Sequence, residues 1–476
     1  MKQRSRWIVL ALLALAQFMV VLDTSVANVA LPAIQKTLHF DANALQWIIT
    51  AYALTFGGFL LLGGRAADLF GQRKVLLIGV GGFTVTSLLI GMASSPVEII
   101  AFRALQGLTA ALMSPSALSI VLTTFREGKE RNRAFGIWAT VASGGAAVGL
   151  LLGGVLTEYL NWRWNFFINI PVGIIAAAGI MKFVPVHAPR VSHRHLDLGG
   201  AALVTTGLMS LVYGLTEAPN WGWTSAPTLG MLALSAALLA SFIWNESRVP
   251  HPLVPLSIFK IRNVAGANSI MVPIIAGMLG MFYLLSLYVQ EVMHYPPVQA
   301  GFAFIAFPIV LAIVSNIIPK FIPKIGTKRL IMVGSLLVAA GLVWLSQLSL
   351  TSTFLLGILP AIVLISGGMG LMFVSITITA TSGVHADQAG LASGLLNTTQ
   401  QMGGALGLAV LSGVATSVAK GADGLSKSAA LLQGDKVAFA TAAGFAVLAF
   451  LLATFVIKEK KPAGDSVKDT EPVVAH

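Results

Sequence analysis

Fourteen long apolar runs succeed one another along the 476 residues, and no other feature limits the possible folds so severely. They fall at about 7–31, 45–64, 75–95, 98–124, 134–158, 166–184, 198–218, 227–245, 264–290, 299–322, 330–349, 353–382, 391–419 and 436–457. A helix needs about 20 apolar residues to cross the hydrocarbon of a bilayer. Inside lipid it satisfies its own backbone hydrogen bonds. A membrane β-barrel would instead show short segments of alternating polarity, and none is present. A soluble fold is excluded by charge. Only 10% of the residues are charged, against roughly 25% in a soluble domain. The chain therefore reads as an all-α polytopic membrane protein. Several runs exceed the minimum length, which implies tilted helices or ends outside the lipid.

The basic residues set the sidedness. With the N-terminus on the cytoplasmic side, the outer segments hold Lys36, Arg163, Lys420, Lys427 and Lys436, and Arg103 lies within a span. The other 24 of the 30 lysines and arginines fall in inner segments. Cytoplasmic loops carry such an excess, and a wrong span count would scramble it. The same distribution accounts for the net charge of +12 without invoking nucleic acid. With no cysteine, disulfides and thiolate metal sites are excluded, and the eight histidines form no HExxH or other metal-ligand spacing. The first run, behind Lys2, Arg4 and Arg6, resembles a signal peptide superficially. It is longer than a signal core and is followed by many more spans.

An internal repeat divides the chain. Gly71-Gln72-Arg73-Lys74-Val75-Leu76-Leu77-Ile78-Gly79 is similar to Gly326-Thr327-Lys328-Arg329-Leu330-Ile331-Met332-Val333-Gly334. Each stretch leads from an inner loop into a span, the third and the eleventh. Two six-helix halves, 1–190 and 263–457, would then flank two inserted linker helices in 191–262, with a cytoplasmic tail at 458–476. Transporters built from such halves place their site at the interface, near mid-membrane.

A charge within a span costs about 2.5–3.5 kcal/mol on insertion scales and needs a reason. Asp23 and Arg103 are the clearest examples. A carboxyl removed from water favours its neutral form and a nearby arginine favours the charged one. Asp23 thus reads as a proton carrier or substrate ligand, or as half of a static pair that fixes packing. Gly145, Gly149 and Gly153 line one face of the fifth span, with Gly136 and Gly154 beside them. Such a face permits close helix approach and serves packing or gating. In the loop Gly64 to Lys74, Asp68 can cap a helix or pair with a base. Its counterpart in the repeat is Pro323. Asn397, Thr398, Thr399, Gln400 and Gln401 cluster in the thirteenth span, lining a cavity or joining helices. With Asn28 and Gln106 they are the cavity candidates. Trp162 and Trp164 read as interfacial anchors. Glu98, Glu158, Glu217 and Glu291 read as solvated residues at outer span ends, and His187, His193 and His195 as a solvated loop. No acid is evident inside spans nine to fourteen.

At these residues the chain resembles the major facilitator superfamily, specifically its fourteen-helix drug:proton antiporters of the EmrB/QacA type. Leu22 to Pro32 resembles the first-helix motif with its membrane aspartate. Gly64 to Lys74 is similar to the loop between helices two and three, and Arg103, Gln106 and Gly107 match the fourth-helix motif. Trp162 to Gly173 resembles a stretch typical of the fourteen-helix branch. Gly136, Gly145, Gly149, Gly153 and Gly154 match the antiporter motif of the fifth helix, but Leu150 stands where proline is expected. Leu69 and Asn165 are further departures. The resemblance implies proton-coupled efflux of small amphipathic molecules or drugs by alternating access across a bacterial cytoplasmic membrane, with both termini cytoplasmic. It implies proton coupling through Asp23 and Arg103, and a gate state stabilised by Asp68 and Arg73. No cofactor beyond the proton gradient is expected, and no enzymatic role; a periplasmic adaptor stays an open question. The alternative is a uniporter, an importer, or an exporter of one metabolite.

Overall fold

The computed structural model describes residues 3–125, 129–186, 197–250, 252–384, 389–422 and 424–457. The tail at 458–476 and the histidines at 187, 193 and 195 lie outside them. All regular structure among the described residues is helical. The first half comprises α1 (Gln3–Leu38), α2 (Trp47–Phe70), α3 (Gln72–Met92), α4 (Pro96–Thr124), α5 (Lys129–Tyr159) and α6 (Trp164–Phe183). Next come α7 (Leu198–Trp221) and α8 (Ala226–Arg248). The second half comprises α9 (Arg262–Val292), α10 (Pro297–Lys320), α11 (Thr327–Leu345), α12 (Phe354–Thr381), α13 (Ala389–Lys420) and α14 (Lys427–Val456). Thirteen helices among the described residues are long and apolar enough to cross a membrane. The other, α5, is 31 residues long and carries a shorter apolar stretch, Gly144–Tyr159.

Local chemistry sets several boundaries. Ser95 caps α4 by accepting from the Glu98 N–H, and the Glu98 carboxylate reaches back to the Ser94 N–H at 2.7 Å, beside Pro96 in the first turn. Caps of this kind satisfy the orphan donors of a helix start. Glu98 is therefore a capping residue rather than merely a solvated one. Within α10 the helix breaks at Ile305. Pro308 offers no N–H to the carbonyl four residues back and crowds it.

The repeat reappears as geometry. Gly71 turns α2 into α3 at φ 93°, and Gly326 precedes α11 at φ 85°. A side chain would be strained there, so glycine fits both. Two residues on, Arg73 donates to the Met181 carbonyl near the end of α6. Lys328 donates to the Thr454 carbonyl at 2.6 Å near the end of α14. Each base thus closes its own half against the negative end of that half's last helix. Met181 and Thr454 both lie two residues before their helix ends.

The contacts between halves are lopsided. Call the end bearing Gln3 and Val456 the near end and the opposite one the far end. At the far end Ser286 and Gln290 of α9 donate to the Asn28 and Val29 carbonyls of α1, at 3.0 and 3.2 Å. Glu158 of α5 accepts from the Val298 N–H of α10 at 2.9 Å, and Lys36 pairs with Glu291 at 3.0 Å. Ser412 donates to Gln46. Glu158 is exposed as expected and Glu291 is half-buried, and both join the halves. At the near end the polar contacts among the described residues stay within a half: Arg73 on Met181, Lys328 on Thr454, Arg262 on Phe455 and Val456, and Arg6 near Glu130. The apolar core follows in part, although a smaller cluster joins Leu61 and Leu62 of α2 to Val264 of α9 and Leu395 of α13 toward the near end. One cluster combines Leu31, Ile34 and Phe166 with Leu285, Tyr288 and Phe304, whereas Val9, Leu13, Phe83 and Phe125 pack in a cluster of first-half residues. The halves are clamped at the far end, and along their flank α2 runs beside α13, where Gly57 faces Gln401.

The inserted pair packs on itself and against α2 and α13. Asp197 caps α7 at the Gly200 N–H and accepts from Asn245 of α8. Glu246, 4% exposed, accepts from the Val254 N–H at 2.7 Å and so holds the segment that leads to α9.

Candidate functional site

Asp23 lies midway along α1 with no exposed surface, and Arg103 of α4 is equally buried. The Arg103 Nη1 atom is 2.5 Å from one Asp23 carboxylate oxygen. The other oxygen accepts from Gln106 and Asn169, each at 3.0 Å. Gln106 is held by both neighbours: its carbonyl accepts from Arg103 at 2.5 Å, and its amide donates to Ser87 at 2.8 Å. The Arg103 Nε donates to the Ile48 carbonyl at 2.8 Å, and the guanidinium lies 4.4 Å from the Tyr52 ring centroid, within cation–π range.

The Asp23 carboxylate accepts from three donors and faces a buried guanidinium, whose Nη2 has no hydrogen-bond partner among the described residues. A buried pair of this sort is strongly destabilised by losing one member, by about 3–5 kcal/mol. All the partners, on α2, α3, α4 and α6, belong to the first half.

The fifth-helix glycines form the wall beside this site. A Cβ on Gly145 would lie 3.1 Å from Phe18, one on Gly149 would lie 2.7 Å from Ser25, and one on Gly153 would lie 2.9 Å from Val26. All three therefore seat α5 on α1, the helix that carries Asp23. Gly154 faces the other half, where a Cβ would meet the Pro297 carbonyl at 2.6 Å. Leu150, standing at the expected proline, is buried at the same seam. Its carbonyl lies 2.5 Å from where a Cβ on Gly301 would sit. The side chain of Gly136's position lies outside the described residues.

Other candidates are placed differently from their sequence reading. Gly64 has ordinary room, and the tight approach of α2 to α4 falls at Gly63 and Gly107. Arg73 is committed to Met181 within its own half. The Asp68 side chain lies outside the described residues. Gln106 belongs to the ion-pair network rather than to a cavity surface. Asn28 bonds its own helix at the Thr24 carbonyl, 2.9 Å away, and sits at the far-end seam. Asn397 is exposed, Gln400 and Gln401 are half-buried, and Thr399 donates to Asn268 of α9 at 2.7 Å. Trp162 is buried rather than interfacial, and Arg163 donates to the Gly91 and Ala93 carbonyls near the end of α3. Asn169 and Ser87 were not foreseen. Nor was Asp435, a buried acid in α14. No cluster of metal-ligating side chains occurs among the described residues.

A sequence model described as "Major Facilitator Superfamily" matches residues 13–408. The chain belongs to the major facilitator superfamily. This superfamily member is 39% identical over 470 residues to the puromycin resistance protein of Streptomyces alboniger, covering 97% of this chain and 93% of that protein. It is 40% identical over 471 residues to a cephamycin export protein of Amycolatopsis lactamdurans, covering 98% and 94%. Among solved structures, the POT family transporter PepTSo superposes with a TM-score of 0.71 at 15% identity, over 96% of this chain and 98% of that one. At that identity the likeness concerns the fold alone.

Proposed function

We propose that this multi-pass membrane protein exports small organic molecules of antibiotic type across the bacterial cytoplasmic membrane in exchange for protons. The observation that carries the reading is the Asp23–Arg103 pair, a fully buried acid and base on two helices of one half, beside a helix whose glycine face seats α1 and whose Gly154 meets the other half. The relatives named for puromycin resistance and cephamycin export support the substrate class. With the basic near end on the cytoplasmic side, the far-end clamp makes this an inward-facing state, ready to take substrate from the cell. Proton binding at Asp23 shifts the balance between states by the difference in proton affinity between them. The protein works without a cofactor and is not an enzyme. Both termini lie in the cytoplasm.

The test is efflux of puromycin, cephamycin-type β-lactams and fluorescent amphiphiles from cells producing wild type or Asp23→Asn, with and without an uncoupler. Export by the wild type that stops with the uncoupler and in Asp23→Asn at equal membrane abundance supports the reading. Export unchanged in Asp23→Asn makes the pair structural. Uncoupler-insensitive movement points to uniport. A second reading, export of a single compound, is favoured by relatives named for one antibiotic each, and transport of only one member of the panel would select it.

A further inference from the structure

Besides Glu246, which holds the Val254 N–H, the mechanism above leaves one buried acid unused. Asp435 lies in the third turn of α14 and is 4% exposed. Among the described residues no hydrogen-bond donor or cation reaches its carboxylate. The titratable groups facing it are the phenols of Tyr283 and Tyr288, on the far-end part of α9, both within electrostatic reach. The neighbouring stretch of α13, where Ala415 packs against Gly434, offers no titratable side chain, and α11 offers none from Gly334 to Leu345. On its own helix Lys436 follows it in sequence, turned partly to the surface. The one charge of α13 near this end, Lys420, is committed to Asn220.

An ionised carboxylate in such a place, unpaired and out of water, costs several kcal/mol. The same part of α9 also closes the far end, since Ser286 and Gln290 hold the α1 backbone. Opening the far end must pull this segment from α1, disturb its packing and admit water behind it.

We propose that Asp435 is a second proton-binding site, served from the far side of the membrane and linked to the far-end gate. With the gate closed the carboxyl keeps its proton. When the gate opens, water solvates the carboxylate and the proton leaves to the far-side medium. The sign follows from linkage: protons on that side favour closure, and their removal favours opening. The proton returns to the side it came from, so the site tunes the gate and adds nothing to transport stoichiometry. The inference rests on the alternating-access reading but not on Asp23 as the coupling residue.

The chain has no native cysteine, so paired spin labels can be placed without background. Tyr159→Cys and Leu350→Cys put labels on exposed far-end positions of the two halves. Distances are measured in lipid vesicles across a pH series in the Asp23→Asn background, which removes the other proton site. The long-distance fraction is expected to rise several-fold with pH, and to become flat when Asp435→Asn is added. Infrared difference spectra on the same samples should show a protonated-carboxyl band that Asp435→Asn removes. Should that variant fold poorly, Asp435→Glu must shift the band while keeping the pH response. A pH response that survives Asp435→Asn, a far end that stays short throughout, or a missing band overturns the proposal.

Discussion

Gly154→Ala isolates the far-end seam. The added Cβ would lie 2.6 Å from the Pro297 carbonyl and 2.9 Å from the Val298 Cα, both backbone atoms of the other half. Backbone cannot swing aside as a side-chain tip can, so the halves must move apart locally. Inserting a methyl into packed space costs about 1–3 kcal/mol. That cost falls only on the state in which the seam is closed. With tenfold per roughly 1.4 kcal/mol, the closed population relative to the open one should drop about five- to 150-fold. Gly153→Ala is the control. Its Cβ would meet the Val26 Cα at 2.9 Å, a contact between α5 and α1 within one half. It persists when the halves rock, so this variant loses thermal stability without a comparable change in state.

The assay is the same spin-label distance across the far end, read alongside thermal melting in the same lipid. Gly301→Ala should mimic Gly154→Ala, because its Cβ would press on the Leu150 carbonyl at 2.5 Å from the opposite side. A Gly154→Ala protein with wild-type distances, or a Gly153→Ala protein that opens as readily, would refute the assignment of these glycines to different seams.

Three further outcomes are expected. Arg103→Ala should destabilise the fold by about 3–5 kcal/mol because Asp23 stays buried without its partner; Arg103→Lys rescues little, since one ammonium cannot serve Ile48, Gln106 and Asp23 in the plane of the guanidinium. Thermal melting with and without added Asp23→Asn checks this, and the double variant should recover part of the loss. Arg73→Gln and Lys328→Gln should each cost about 0.3–1 kcal/mol, the worth of a cation at a helix C-terminus, and leave far-end distances unchanged, as both bases bind within their own half. Glu246→Gln, which keeps an acceptor for the Val254 N–H, should be tolerated in a melting assay, whereas Glu246→Ala should cost about 1–3 kcal/mol for an unmet buried donor.

What the sequence discloses about this molecule depends on the cost of each feature. The spans, the halves and the Asp23–Arg103 pair are legible because charges and long apolar runs in a membrane are expensive and therefore rare. Ser87 and Asn169 are neutral, cheap to bury, and separated from Asp23 by 64 and 146 positions. No local pattern brings them together. Asp435 is illegible for a different reason. It stands beside Lys436 in Gln433-Gly434-Asp435-Lys436, which reads as loop, so the last apolar run reads as 436–457. The helix begins at Lys427, and packing rather than hydropathy carries that polar stretch inside. Glu158 and Glu291 sit at span ends in sequence, and only the approach of the two halves makes them partners of Val298 and Lys36.

The placement of the ion pair restricts how a proton on Asp23 can act. Every partner of Asp23 lies in the first half, so rocking of the halves as rigid bodies leaves that network intact and gives the proton no leverage. The leverage must pass through α1. Leu22, Ser25 and Val26 rest on the α5 glycines, and Asn28 and Val29, about one and a half turns beyond Asp23, hold α9. On the proposed mechanism, protonation loosens α1 from α4 and α6 at one level and thereby shifts the backbone that closes the far end just above it. A side chain larger than glycine at Gly149 should wedge α1 away from α5 at the level of Ser25 and weaken this link. Gly149→Ala should therefore leave the Asp23–Arg103 pair formed, as read by the stability lost on Arg103→Ala, yet reduce the difference in far-end distance between wild type and Asp23→Asn. An undiminished difference would mean that the proton's effect travels by a route other than the α1–α5 contact.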